Sequence, residues 1–165
     1  LFKTVDGGAT WQQLFPYTYK DFYGISGTTA DTIWLCGDEG IIFYSANGGT
    51  GWNTQSSTTN AALTDICFTS AQEGWITGED GTLLRTTDGG INWNPQALPT
   101  TAHIRSLCYL NGRIWMAGSN GTILSGDLNQ GIGEPEKPAL SIFPNPFTDL
   151  ITIQFSGETE YTVNV

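Results

Sequence analysis

Thr4-Val5-Asp6-Gly7-Gly8-Ala9-Thr10-Trp11 is the stretch on which the reading of the fold turns, because the chain states it three times. It returns as Ser45-Ala46-Asn47-Gly48-Gly49-Thr50-Gly51-Trp52 and as Thr86-Thr87-Asp88-Gly89-Gly90-Ile91-Asn92-Trp93, each time after 41 residues. A second signature travels with it. Trp34-x-x-Gly37-x-x-Gly40 recurs at the same step as Trp75-x-x-Gly78-x-x-Gly81, and at one residue less as Trp115-x-x-Gly118-x-x-Gly121. Together the two signatures use all 6 tryptophans. Repeats of this length, with aromatic and glycine landmarks and no helical periodicity, read as blades of a β-propeller.

Between the landmarks lie short runs rich in β-branched and aromatic residues, bounded by turn formers. They predict strands at 22–26, 32–36, 41–45 and 51–55, then at 64–68, 74–77, 82–86 and 92–94, then at 104–109, 113–117 and 122–125. Residues 1–15 read as the remnant of a preceding blade, with a strand through Trp11 to Leu14. Asp38-Glu39-Gly40, Glu79-Asp80-Gly81 and Ser119-Asn120-Gly121 each close a hairpin, with the glycine expected to take the positive φ of a tight reversal. In the longer turns, Asp6, Asn47 and Asp88 are placed to accept hydrogen bonds from following backbone N–H groups. Thr4, Ser45 and Thr86 open these turns, and Gly8, Gly49 and Gly90 permit the bend. Trp11, Trp52 and Trp93 then fold over their turns as apolar lids. The repeat fails after Ser125, where Gly126-Asp127-Leu128-Asn129 has no glycine pair and no tryptophan. The last blade is therefore predicted to have three strands.

The predicted organisation is all-β. A partial propeller of four-stranded blades spans 1–126, with two full and two partial blades. A Gly- and Pro-rich linker follows at 127–139, and 140–165 begins a small β-sandwich. Two complete blades and two partial ones cannot close a ring, so the chain reads as a segment of a longer protein. A ring of six to eight such units takes about 250–330 residues.

Charge narrows the partners. Sixteen acidic residues against 6 basic ones give a net charge of −10, which repels nucleic-acid phosphates and anionic lipids. No run approaches the roughly 20 apolar residues of a membrane span. Of the 3 cysteines, Cys67 and Cys108 hold equivalent repeat positions where the first repeat has Ser26, and Cys36 is matched by Thr77 and Ala117. Small interchangeable side chains at strand positions read as reduced core thiols. No cofactor and no metal site is expected, since the sequence lacks C-x-x-C and clustered histidines.

The repeated octet matches the Asp-box, Ser/Thr-x-Asp-x-Gly-x-x-Trp, and residues 1–125 resemble the propeller repeats of the photosystem II stability and assembly factor family. In the second box Asn47 replaces the aspartate. The resemblance implies that the boxes are peripheral fold markers and not catalytic motifs. The photosynthetic role is not carried over, because members of that family present a basic patch. The only arginines of this propeller segment are Arg85, Arg105 and Arg113, on an acidic background.

From Leu140 the sequence changes character. Two prolines around Asn145 make a rigid bend, and Ile151, Ile153 and Phe155 alternate as one apolar face of a strand. A second alternating strand starts at Tyr161. Phe143-Pro144-Asn145-Pro146-Phe147-Thr148-Asp149 resembles the opening of the C-terminal sorting domain of type IX secretion in Bacteroidetes. That resemblance implies recognition by the type IX secretion machinery and a secreted or outer-cell-surface location.

Candidate chemistry is sparse. His103, the only histidine, has no placed partner for base catalysis. Glycoside hydrolysis needs two carboxylates, for which Asp21, Asp31, Asp65 and Glu73 are the candidates. Asp65 is expected to face the central channel, with Gly24 and Ser106 as its register mates. The acidic pairs Asp38/Glu39 and Glu79/Asp80 read as solubilising hairpin tips or weak calcium attractors. Phe15, Tyr17, Tyr19 and Tyr23 belong to an aromatic-rich patch with no counterpart in later repeats, the first place to look for a glycan or polymer contact. The sequence favours a non-catalytic protein- or glycan-binding propeller. Its rival is a fragment of a propeller glycoside hydrolase of sialidase or xyloglucanase type.

Overall fold

The computed structural model describes residues 1–14 and 18–126, together with the backbone of 127, 151–154 and 160–163. The described structure is β-sheet joined by turns. A first hairpin pairs β1 (Phe2–Lys3) with β2 (Gln12–Gln13). Two four-stranded antiparallel meanders follow. The first runs through β3 (Phe22–Gly27), β4 (Ile33–Gly37), β5 (Ile42–Ser45) and β6 (Asn53–Gln55). The second runs through β7 (Leu63–Phe68), β8 (Gly74–Gly78), β9 (Leu83–Thr86) and β10 (Asn94–Pro95). A third sheet holds β11 (Ile104–Leu110), β12 (Arg113–Gly118) and β13 (Ile123–Asp127), three strands as the broken repeat predicts. These are propeller blades, and the innermost strands β3, β7 and β11 stand side by side.

The three Gly-closed hairpin tips are type I′ turns, with the expected positive φ at the glycine and a second at the residue before it. Glu39 (φ 52°), Asp80 (φ 55°) and Asn120 (φ 57°) are left-handed as well as Gly40, Gly81 and Gly121 behind them. A type I′ turn needs both central residues there, because only that twist matches the right-handed twist of the flanking strands. Asn is the best of the three for this position, and Glu39 the least suited. Each inner strand also carries a β-bulge at one repeat position, between Phe22 and Gly24, Leu63 and Asp65, and Ile104 and Ser106.

Blades adhere through residues that face each other across the gap. Trp34 stacks on Phe68 at 3.6 Å between ring centroids, and Phe68 meets Trp93 edge-on at 5.8 Å. Ile42, Leu63, Ile66, Ile76 and Leu84 complete that core. The next gap is filled by Trp75, Leu83, Ile104, Leu107, Ile114, Met116 and Leu124. The glycines at these junctions are space requirements. A Cβ on Gly24 would lie 2.8 Å from Cys36 Sγ and 3.0 Å from the backbone of Asp65.

Burial of register mates falls at both ends of this stack. Ile66 and Leu107 are buried, yet their mate Ile25 is 59 % exposed. Ile42 and Leu83 are buried, whereas Ile123 is 50 % exposed. Cys36 is the core thiol expected, whereas the same gradient corrects that reading for Cys67 and Cys108. Cys36 is buried, Cys67 half-buried and Cys108 exposed, and all three are free. Cys108 projects from the last blade, where no described residue covers it. Burial pushes the Cys36 and Cys67 thiols up.

Farther along, β14 (Ile151–Gln154) pairs antiparallel with β15 (Glu160–Val163), the two strands expected in the tail. The sorting-motif residues Phe143, Pro144, Asn145, Pro146, Phe147 and Asp149 lie outside the described residues, as do Phe15 and Tyr17. Among the described residues no helix is long and apolar enough to cross a membrane.

Candidate functional site

The Asp-boxes are self-contained hydrogen-bond knots. In the first, the Thr4 hydroxyl donates to Asp6 Oδ1 (2.8 Å) and accepts from the Gly8 N–H (2.9 Å). Asp6 in turn accepts from the backbone N–H of Thr10 (2.9 Å) and from its hydroxyl (2.5 Å). The third box repeats this with Thr86, Asp88, Gly90 and Asn92. In the second, the Asn47 carboxamide oxygen accepts from Ser45 and from the Gly51 N–H, and Gly49 N–H donates to Ser45 Oγ. A single oxygen suffices for the knot, which is why Asn serves there. The Thr10 hydroxyl, then the Thr10 amide, hold the Asp6 carboxyl down at about 2. The backbone N–H of Asn92 leads the same downward shift for Asp88.

The three box tryptophans are not equivalent lids. Trp11 is 60 % exposed and donates to the Gly8 carbonyl at 3.1 Å. Trp52 is half-buried beside Phe43, and Trp93 is 3 % exposed and donates to Gln55 Oε1 of the preceding blade. Trp93 thus reaches the blade before it, which helps to cover it. For Trp11 no such blade stands among the described residues.

Asp65 bridges two inner strands. Its Oδ2 accepts from the Leu107 N–H (2.8 Å) and the Ser106 hydroxyl (3.2 Å) of the next blade, while Oδ1 accepts from the Ile66 N–H (2.9 Å). The carboxylate stitches two inner strands together at the bulge. Asp65→Ala is expected to destabilise the fold by about 1–3 kcal/mol, the cost of a stranded N–H, with a smaller loss for Asp65→Asn. Denaturant melts of the two variants check this, and equal stabilities would refute the stitch. The other candidate carboxylates are not brought to Asp65. Glu73 pairs with Arg85 at 2.6 Å, and that guanidinium also lies 5.0 Å over the Trp75 ring. Asp21 and Asp31 are exposed.

The acidic hairpin tips spend their charge locally. Asp38 accepts from the Asp21 N–H (3.1 Å) and from the Tyr23 hydroxyl (2.7 Å); Glu39 pairs with Lys20 at 2.7 Å, and Glu79 lies 3.7 Å from His103. Among the described residues no three carboxylate, cysteine or histidine groups are placed to share a cation. Of the aromatic patch, Tyr19 is fully exposed and Tyr23 is 53 % exposed. The bond to Asp38, aided by burial and the nearby acids, pushes the Tyr23 phenol up to about 12 from 10.0. Its contribution to stability is therefore complete below pH 10 and lost as pH rises through about 12. Phenolate absorbance, with Tyr23→Phe subtracted, should show this late titration, and Asp38→Asn should return it toward the ordinary value.

One feature was not singled out from the sequence. A groove of about 670 Å³ lies between the first two full blades, lined by Trp34, Tyr44 and strand β6 on one side and by Gln72, Asp88 and Ile91 on the other. Ile91 is 79 % exposed there.

Comparison with known proteins bears on this fold. No curated protein sequence matches the chain. Among solved structures, YCF48 from Cyanidioschyzon merolae is similar at 25 % identity and a TM-score of 0.65, over 81 % of this chain and 40 % of that one. A YCF48 bound to D1 peptide is similar at 23 % identity and a TM-score of 0.64, over 79 % of this chain and 42 % of that one. The computationally designed Ika4 protein shares the fold at 12 % identity and a TM-score of 0.59, with 93 % and 98 % covered. The chain thus spans about two-fifths of the length of the two YCF48 structures. The family model for photosynthesis system II assembly factor YCF48 matches residues 50–133, which are 84 of the 165 residues. With just over half of its sequence inside that match, the chain belongs to the photosynthesis system II assembly factor YCF48 family.

Proposed function

We propose that this chain is a non-catalytic propeller segment that binds protein partners through peptide segments, in a protein exported by the type IX route. The observation that supports the non-catalytic reading is the fate of Asp65, whose carboxylate accepts from Leu107, Ser106 and Ile66. The similar structure that holds a D1 peptide supports a peptide ligand over a glycan. The photosynthetic assignment of the family does not follow from the fold alone, because function resides in sites and not in the scaffold. Export rests on the resemblance of residues 143–149 to a sorting-domain opening, which makes the type IX machinery a partner and the outer cell surface or medium the destination.

Full-length protein offered a polysaccharide panel and a random peptide library tests the activity. Peptide binding without sugar turnover is the expected result. Sugar turnover, above all turnover lost in a folded Asp65→Asn, or sugar binding with no peptide binding, would overturn it. Export is checked separately by locating the full-length protein with and without residues 140 onward; retention inside cells with both would refute the address.

A further inference from the structure

We propose that the outer edge of the first full blade, strand β6, is a docking strand onto which an extended, non-acidic peptide adds as a fifth strand. The inference rests on the peptide-binding reading above and names the site.

Backbone direction supplies the first argument. The N–H of Leu14 donates to the Leu1 carbonyl at 2.9 Å, and that of Gln96 to the Leu83 carbonyl at 2.8 Å. Leu14, Gln55 and Gln96 are register mates at the 41-residue step. In an antiparallel ladder, bonded and non-bonded pairs alternate. The preceding mates Gln13, Thr54 and Pro95, paired with Phe2, Phe43 and Leu84, therefore turn their backbone polar groups away from the blade. In the second full blade this outward position is proline, which has no N–H to offer; proline on a free edge is a common device against strand addition. In the first it is Thr54, which keeps its donor. Strand β6 reads Asn53-Thr54-Gln55, without a proline or a charge to repel a partner.

The surroundings supply the second argument. Asn53, Thr54, Gln55 and Ser56 all line the groove between the blades, so a strand laid along this edge would set alternate side chains into it. There they would meet the Tyr44 ring, the exposed Ile91 and the amide of Gln72. Asp88 on the same wall and the net charge of −10 favour a neutral or basic segment.

The test uses the whole 165-residue chain. Peptides selected from a random dodecapeptide phage library are titrated against wild type, Thr54→Pro and Thr54→Ala. Thr54→Pro installs what the second blade already carries, so its melting temperature should stay close to wild type. It should nevertheless weaken peptide binding roughly ten- to a hundredfold through lost main-chain bonds. Thr54→Ala, which keeps the backbone donor, should bind within a fewfold of wild type. Hydrogen exchange at the Thr54 amide should slow when peptide is bound. Peptides that bind wild type and a folded Thr54→Pro equally would overturn this site and leave peptide binding standing. Failure to select any peptide would overturn both.

Discussion

Trp34→Ala is expected to destabilise the propeller segment by about 3–5 kcal/mol, enough to lower its melting temperature by roughly 10–20 °C. Trp34 is 1 % exposed, stacks on Phe68 of the next blade and touches Tyr44 of its own at 5.1 Å. Removing it opens a cavity at a junction that rigid strands on both sides cannot close. Trp11→Ala is the comparison. That ring is 60 % exposed and makes one bond, to the Gly8 carbonyl, so its loss should cost about 1 kcal/mol or less. Thermal melts of the two variants read the difference. Similar losses would mean that the blade junction is not where tryptophan burial stabilises the fold.

The second large effect concerns two glycines with the same backbone angle. Gly7 and Gly40 both have φ of 71°. A Cβ at Gly7 meets nothing within 4 Å, whereas one at Gly40 falls 2.0 Å from the Thr59 carbonyl oxygen and 2.6 Å from Ser57 Oγ. Gly7→Ala should therefore carry only the left-handed cost of an L residue, about 1–2 kcal/mol. Gly40→Ala adds an overpacking term and should cost roughly 2–5 kcal/mol in all. Equilibrium unfolding of both variants separates backbone strain from collision. Equal losses would show that the loop carrying Ser57 and Thr59 yields freely.

Much of this architecture was legible because it is repeated. Spacing identified the blades, and the failure of the fourth box identified the three-stranded sheet at β11–β13. The box hydrogen bonds were also legible, since Thr4, Asp6 and Gly8 are close in sequence and need no distant partner to define them. The I′ turns were half legible: the glycine is explicit, but Glu39 gives no local sign of its own left-handed state. The outward threonine of β6 had a signal that went unread. Thr54 aligns with Pro95 at the repeat step, and that single difference separates an open edge from a guarded one.

The burial of equivalent residues could not be read in the same way. Trp11, Trp52 and Trp93 occupy one sequence position but three environments, and Ala117 is exposed where its mates Cys36 and Thr77 are fully buried. The inward strand pattern at Asp65 says nothing of its partners. Only the approach of Leu107 and Ser106 from another blade turned it into a stitch. By itself the sequence determined the blade, its strand order and its turns, since those follow from side-chain alternation and local hydrogen bonds. Tertiary structure decided which faces are covered, which carboxylate is consumed and where a groove remains. These depend on contacts between residues about one repeat apart in the chain, and no local preference encodes them.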